Sequence, residues 1–123
     1  MTNPFRDQEK FMKACGQSVD KYNQQQYLMY VGLIEEESKE FDQALLDNDR
    51  VEQLDALIDI LVVTIGAIHS GGFDAEGAWK EVMSTNFAKI DKDTGLVRKR
   101  EDGKVLKPIG WTAPELAQFI KGE

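Results

Sequence analysis

Between Glu35 and Asp59 the chain carries ten Asp and Glu residues against two bases, Lys39 and Arg50. Their spacing is what could do chemistry. Glu37 and Glu40 are three residues apart, as are Glu52 and Asp55, and Asp59 follows one helical turn after Asp55. Carboxylates gathered at close range repel strongly in a low dielectric, so either several are protonated or cations sit among them. Oxygen ligands without histidine or cysteine select hard cations, Mg²⁺ first and Mn²⁺ second. The clearest pointer is Asp59, the one charge in the apolar run from Leu57 to Ile68. A helix that is hydrophobic all round belongs in a core, where an ionised carboxylate is costly unless it is paired or holds a metal.

Two helices must position these groups. The turn Asp47-Asn48-Asp49 predicts a second helix that ends near Leu46 and a third from Arg50 to about His69, capped by Asp49 and closed by Ser70-Gly71-Gly72. At about 100° per residue, Tyr27, Tyr30, Leu33, Ile34, Phe41, Ala44 and Leu45 form one apolar stripe of the second helix. Glu37 falls inside that stripe, Glu40 on its margin and Glu36 one step further round, while Glu35 and Lys39 point away. On the third helix Glu52, Asp55 and Asp59 fall within an arc of about 60°. A short link favours antiparallel packing, which sets Glu37 and Glu40 level with Asp55 and Asp59. Glutamate-rich stretches are commonly solvated helix faces. Glu37 and Asp59, set among apolar neighbours, are what argue against that reading here.

The remaining elements follow from similar signals. Asn3-Pro4 caps a first helix that runs through Phe5, Phe11, Met12, Cys15 and Val19 to about Asp20. Asp74 caps a fourth through Ala78, Trp79, Val82, Met83, Phe87 and Ala88. Beyond Asp91, the turn signals Asp93-Thr94-Gly95 and Glu101-Asp102-Gly103 predict a hairpin or ordered loop, and Thr112-Ala113-Pro114-Glu115 the start of a last short helix. The expected fold is all-α, an antiparallel bundle of four main helices with a basic irregular tail, in one domain over residues 1–123.

A net charge of −7 argues against a surface for nucleic-acid polymers. The apolar run is too short to span a bilayer, and the polar N-terminus lacks the apolar stretch of a secretory signal, so no membrane partner is expected. The single cysteine, Cys15, makes no internal disulfide, which fits the cytoplasm, and reads as a small buried hydrophobe. His69 reads as a polar helix-end residue. Helical subunits of this size often pool their cores, which predicts a homo-oligomer, dimer or tetramer. Lys89 to Lys107 holds seven Lys and Arg against four acids. An acidic helical half and a basic tail invite an anionic ligand held through cations.

The stretch Leu33-Ile34-Glu35-Glu36-Glu37-Ser38-Lys39-Glu40-Phe41 resembles the Glu-Glu-x-x-Glu helix of the MazG-like all-α nucleoside triphosphate pyrophosphohydrolases, and Asp55-Ala56-Leu57-Ile58-Asp59 occupies the place of their Glu-x-x-Asp helix. Ser84 to Lys89 and Asp102 to Pro108 look like the compact bacterial and phage members. The resemblance implies cleavage of (d)NTPs to (d)NMP and pyrophosphate, with two or more Mg²⁺ or Mn²⁺ ions held by the acids. It assigns Glu37, Glu40 and Asp59 as metal ligands and Glu36 as the residue that activates or orients water. Where the family carries a glutamate this chain has Ala56, so Asp55 is expected as the fourth ligand with Glu52 in reserve. Asn86, Lys89, Lys104 and Lys107 are the candidates for phosphate binding. Arg98, Lys99 and Arg100 read as surface charges or inter-subunit contacts, and Trp79 and Trp111 as core residues or base-stacking rings.

The base is open, and one related phage group acts on (d)GTP. Two other functions compete with this one. A phosphoribosyl-ATP pyrophosphohydrolase-like enzyme shares the fold and metal logic, although the Lys104-to-Pro108 tail fits the nucleotide-cleaning members better. A non-catalytic acidic helical oligomer that binds a protein partner is the third.

Overall fold

Asn3 opens the first helix, α1 (Pro4–Ala14), by accepting from the Phe5 and Arg6 N–H groups at 3.0 and 3.3 Å. A computed structural model describes residues 2–121 of the chain. The helix stops at Ala14, short of the expected Asp20, because Gly16 turns left-handed at φ 76° and Gln17 N–H bonds back to Met12 O at 2.9 Å. Val19 still packs on the core, from the link after the helix rather than from within it. Cys15 forms the C-cap and is exposed, not buried as the sequence suggested.

Helix α2 (Gln24–Leu46) is capped by Asn23, and α3 (Arg50–Ser70) by Asp49, which accepts from Glu52 N–H at 3.1 Å. Between them Asn48 takes φ 52°, a conformation its short polar side chain tolerates. The two helices run antiparallel. Gln53 Nε2 bonds Ala44 O at 3.3 Å near the turn, and further along the Tyr30 ring lies directly on the backbone of Gly66. At the far end Asn23 N–H donates to Ser70 O at 2.9 Å, and Gln26 bonds Ser70 Oγ at 2.7 Å. Met12, Tyr30 and Ala67 form the buried centre, with Val19, Tyr27, Leu33, Ile34 and Val63 packed around it. His69, at the end of α3, is buried and donates from Nε2 to Phe5 O at 2.8 Å, which ties α1 to α3. Gly72, at φ 72°, accepts from Lys121 N–H at 2.7 Å, so the end of the described chain returns to this unit.

The apolar run of α3 is only half covered. Ile65, Gly66 and Ala67 are buried, but Leu57, Ile58 and Leu61 are about half exposed in the single chain, against the expectation of burial on every side. Leu45, assigned to the apolar stripe of α2, is likewise exposed.

Contacts divide the chain into two compact units, and residues 76–119 form the second. It holds most of α4 (Ala75–Phe87), an irregular hairpin and a short 3₁₀ turn, Ala117–Phe119. The hairpin is marked by isolated bridges Ile90 to Val97 and Lys99 to Val105, with Gly95 and Gly103 left-handed at its turns. The last helix expected from Thr112 is reduced to that 3₁₀ turn. Among the described residues the structure is all-α, with four α-helices and no strand, and no helix is long and apolar enough to cross a membrane.

Candidate active site

The antiparallel pairing of α2 with α3 gathers the acids that the helix faces predicted. Glu37 is partly buried, and its Oε2 is sealed from solvent without a hydrogen-bond partner. Its carboxyl is pushed up to about 7, first by burial, then by a hydrogen bond with the Glu40 carboxyl, then by the charges of Glu40, Asp59 and Asp55. Three carboxyls from two helices therefore bear on that of Glu37. Asp59 is partly buried, while Glu36, Glu40, Glu52 and Asp55 are exposed, as is Glu35.

Beside the α2–α3 turn lies a hollow of about 330 Å³, whose lining includes Glu40, Asp47, Asp49, Glu52, Asp55 and Ala56. Asp55 thus bears on both the hollow and Glu37, whereas Glu52 lines the hollow only. Ala56, almost fully buried, stands in the same wall where the resembling pattern has a glutamate. Asp47 and Asp49 were legible only as turn and cap residues; their place just after a helix rich in acids was the signal that they also face this hollow.

As the side chains stand, no three acids among the described residues converge at metal-ligand distance. The donors present are nevertheless carboxylate oxygens, one of them buried and unpartnered, with three further acids raising the cost of its charge. Such a set either retains protons or takes up a hard cation, and it fits a hard cation by donor type.

The basic residues lie in the second unit. Lys89 Nζ bonds Asn86 Oδ1 at 3.2 Å, and the ammonium groups of Lys89 and Lys107 stand 5.1 and 4.7 Å from the centre of the Trp111 ring. Trp111 is held by its indole N–H, which donates to Thr85 O at 2.7 Å. Asn86, Lys89 and Lys107 are therefore brought together. Lys104 is placed elsewhere, in the turn 100–104, where its N–H bonds Asp102 and its carbonyl accepts from Arg100. Arg98, Lys99 and Arg100 are exposed, and Arg100 pairs with Asp102. Trp79 is 59% exposed rather than a core residue. Trp111 organises two lysines, a role that its aromatic type alone did not announce.

A sequence model of the phosphoribosyl-ATP pyrophosphohydrolase family matches residues 9–86, more than half of the chain. The chain belongs to this family. Within the MazG-like all-α superfamily, that membership makes it a nucleotide pyrophosphohydrolase. The matched span includes every acid of the gathered set and Asn86, whereas Lys89, Lys104, Lys107 and Trp111 lie beyond it. No match was found among the curated proteins.

Proposed function

We propose that the protein hydrolyses nucleoside triphosphates, (d)NTP and water giving (d)NMP and pyrophosphate, with Mg²⁺ or Mn²⁺ as cofactor. The observation that carries this reading is the sealed, unpartnered Oε2 of Glu37 among Glu40, Asp55 and Asp59. Those four residues would hold the metal, two or more ions in all, with Glu52 in reserve. When bound, such ions neutralise phosphate oxygens, bring water to the α-phosphorus and favour the pyrophosphate leaving group.

The chain's own residues do the rest. Glu36, exposed beside Glu37, accepts the proton of the attacking water as general base. Asn86, Lys89 and Lys107 bind phosphate oxygens, the two ammonium groups being positioned by Trp111, and Lys104 adds a further charge from the hairpin. The protein works as a homo-oligomer, dimer or tetramer, in which a second copy covers Leu54, Leu57, Ile58 and Leu61. A net charge of −7 supports a nucleotide rather than a nucleic-acid polymer as ligand, and the lone cysteine supports a cytoplasmic location.

A second reading takes phosphoribosyl-ATP as substrate, because the matching family is described by that activity. One experiment separates the two. The protein is incubated with Mn²⁺ and each of the eight common NTPs and dNTPs, (d)GTP among them, and with phosphoribosyl-ATP, and monophosphate products are resolved from diphosphates. Release of (d)NMP supports the proposal, and turnover of phosphoribosyl-ATP alone selects the second reading. No turnover together with no Mn²⁺ binding leaves the non-catalytic, protein-binding bundle.

A further inference from the structure

Four amide side chains surround a second hollow in the same unit as the acids. Gln17, Asn23, Gln25 and Gln26 line a space of about 370 Å³, with Met29 beside them. That volume lies within the range of small-molecule sites. The amides are not equivalent. Gln26 is spent on structure: its Nε2 donates to Ser18 O and Ser70 Oγ, both at 2.7 Å, and its Oε1 accepts from Ser18 N–H at 3.0 Å. Asn23 caps α2 through Oδ1 and reaches Ser18 Oγ through Nδ2.

Gln17 and Gln25 have capacity left over. Gln17 Oε1 accepts the Tyr30 hydroxyl at 2.6 Å, which fixes the amide so that its Nε2 donors are the free half. The side chain of Gln25, exposed on the first turn of α2, makes no hydrogen bond among the described residues and offers both a donor and an acceptor. Met29 is 44% exposed and supplies an apolar surface between them. A flat, polar-edged heterocycle needs those features: a polarisable surface for its ring and paired amides for its edge.

The hollow also stands on the right line. Met29, Leu33, Glu36 and Glu40 recur at i, i+4, i+7 and i+11, so they lie along one face of α2. Along the helix Met29 stands about 10 Å and Gln25 about 16 Å from Glu36. A nucleotide laid along this face places its base at one end and its α-phosphate toward the other.

We propose that this amide-lined hollow holds the nucleobase of the substrate, with Gln17 donating to a ring carbonyl or ring nitrogen, Gln25 completing the pair and Met29 against the ring. This assignment rests on the nucleotide pyrophosphohydrolase reading of the acidic site. It gives the substrate a direction, base toward the start of α2 and phosphates toward the α2–α3 turn.

The test compares kcat/KM for the eight NTPs and dNTPs, with Mn²⁺, in the native protein, Gln17→Glu and Gln25→Ala. Gln17→Glu keeps an acceptor for the Tyr30 hydroxyl while replacing the free donor by an acceptor, so it separates base reading from packing. The expected result is a change of about tenfold or more in the ranking of bases, carried by KM. Unchanged ranking in both variants, or equal cleavage of all bases by the native protein, overturns the base site while leaving the hydrolase standing. If the native protein cleaves nothing, the hydrolase reading fails, and the hollow is judged by NMR with free nucleosides. Shifts of the Gln17 and Gln25 side-chain amide signals then uphold the site, and their absence overturns it.

Discussion

Glu37 and Glu40, one turn apart on α2, hold their carboxyl groups within hydrogen-bonding reach, and burial of Glu37 makes a shared proton more favourable than two charges. The Glu37 carboxyl is raised from 4.5 to about 7, so the folded protein keeps a proton there that the unfolded chain releases. Metal-free protein is therefore most stable, as far as this group is concerned, below pH 4.5, and loses stability as pH rises through about 7. The loss is about 2 kcal/mol after solvent screening. Urea denaturation from pH 4.5 to 8 in the presence of a chelator checks it, and Glu37→Gln flattens the profile.

Asp59→Asn and Glu37→Gln each lower kcat/KM by about 1,000-fold, because each removes a carboxylate proposed to hold the cation. Both variants stay folded by circular dichroism, and both bind Mn²⁺ more weakly by titration calorimetry. Glu35→Gln changes kcat/KM by less than about threefold, since Glu35 is exposed and turned away from the set. An equal loss from Glu35→Gln would contradict the assignment of helix faces.

Gly66→Ala destabilises the protein by about 1–3 kcal/mol, read from the urea midpoint. A Cβ at this position drives into the ring of Tyr30, which is itself buried and cannot swing aside. α2 and α3 must then separate, so the same variant also loosens the alignment of Glu37 with Asp59.

Ile58→Lys in combination with Leu61→Glu shifts the protein to monomer in sedimentation equilibrium, because both residues lie on the half-exposed apolar face of α3. Its helical content is retained, as the buried side of α3, Ile65 to Ala67, is untouched.

Lys89→Ala and Lys107→Ala each raise KM for the triphosphate about tenfold with a smaller change in kcat, as expected for charges proposed to hold phosphate rather than react. Trp111→Leu reproduces part of this effect through the lost cation–π contacts and the lost bond to Thr85 O.

The acidic pair of helices was legible because two independent signals agreed: periodicity placed Glu37 and Asp59 among apolar residues, and the short Asp47–Asp49 turn fixed their register. The end of α1 was not, because Val19 continues the apolar pattern from a link that merely folds back onto the core. One glycine, Gly16, decides the boundary by its left-handed backbone. The uncovered side of α3 was hidden for a related reason: apolar composition reports that a surface is suited to burial, not which chain would cover it. Nothing in the sequence singles out Gln17 or Gln25. Only the Tyr30 and Ser18 bonds separate the amides that hold the fold from those that remain free.

The hollow beside the α2–α3 turn is lined by five carboxylates and no base. A mouth of that sign draws small cations from solution and turns back a bare polyphosphate. On the proposed reading a nucleotide gains entry there only as part of a charge-compensated complex, and the cation, not the nucleotide, decides which encounters are productive.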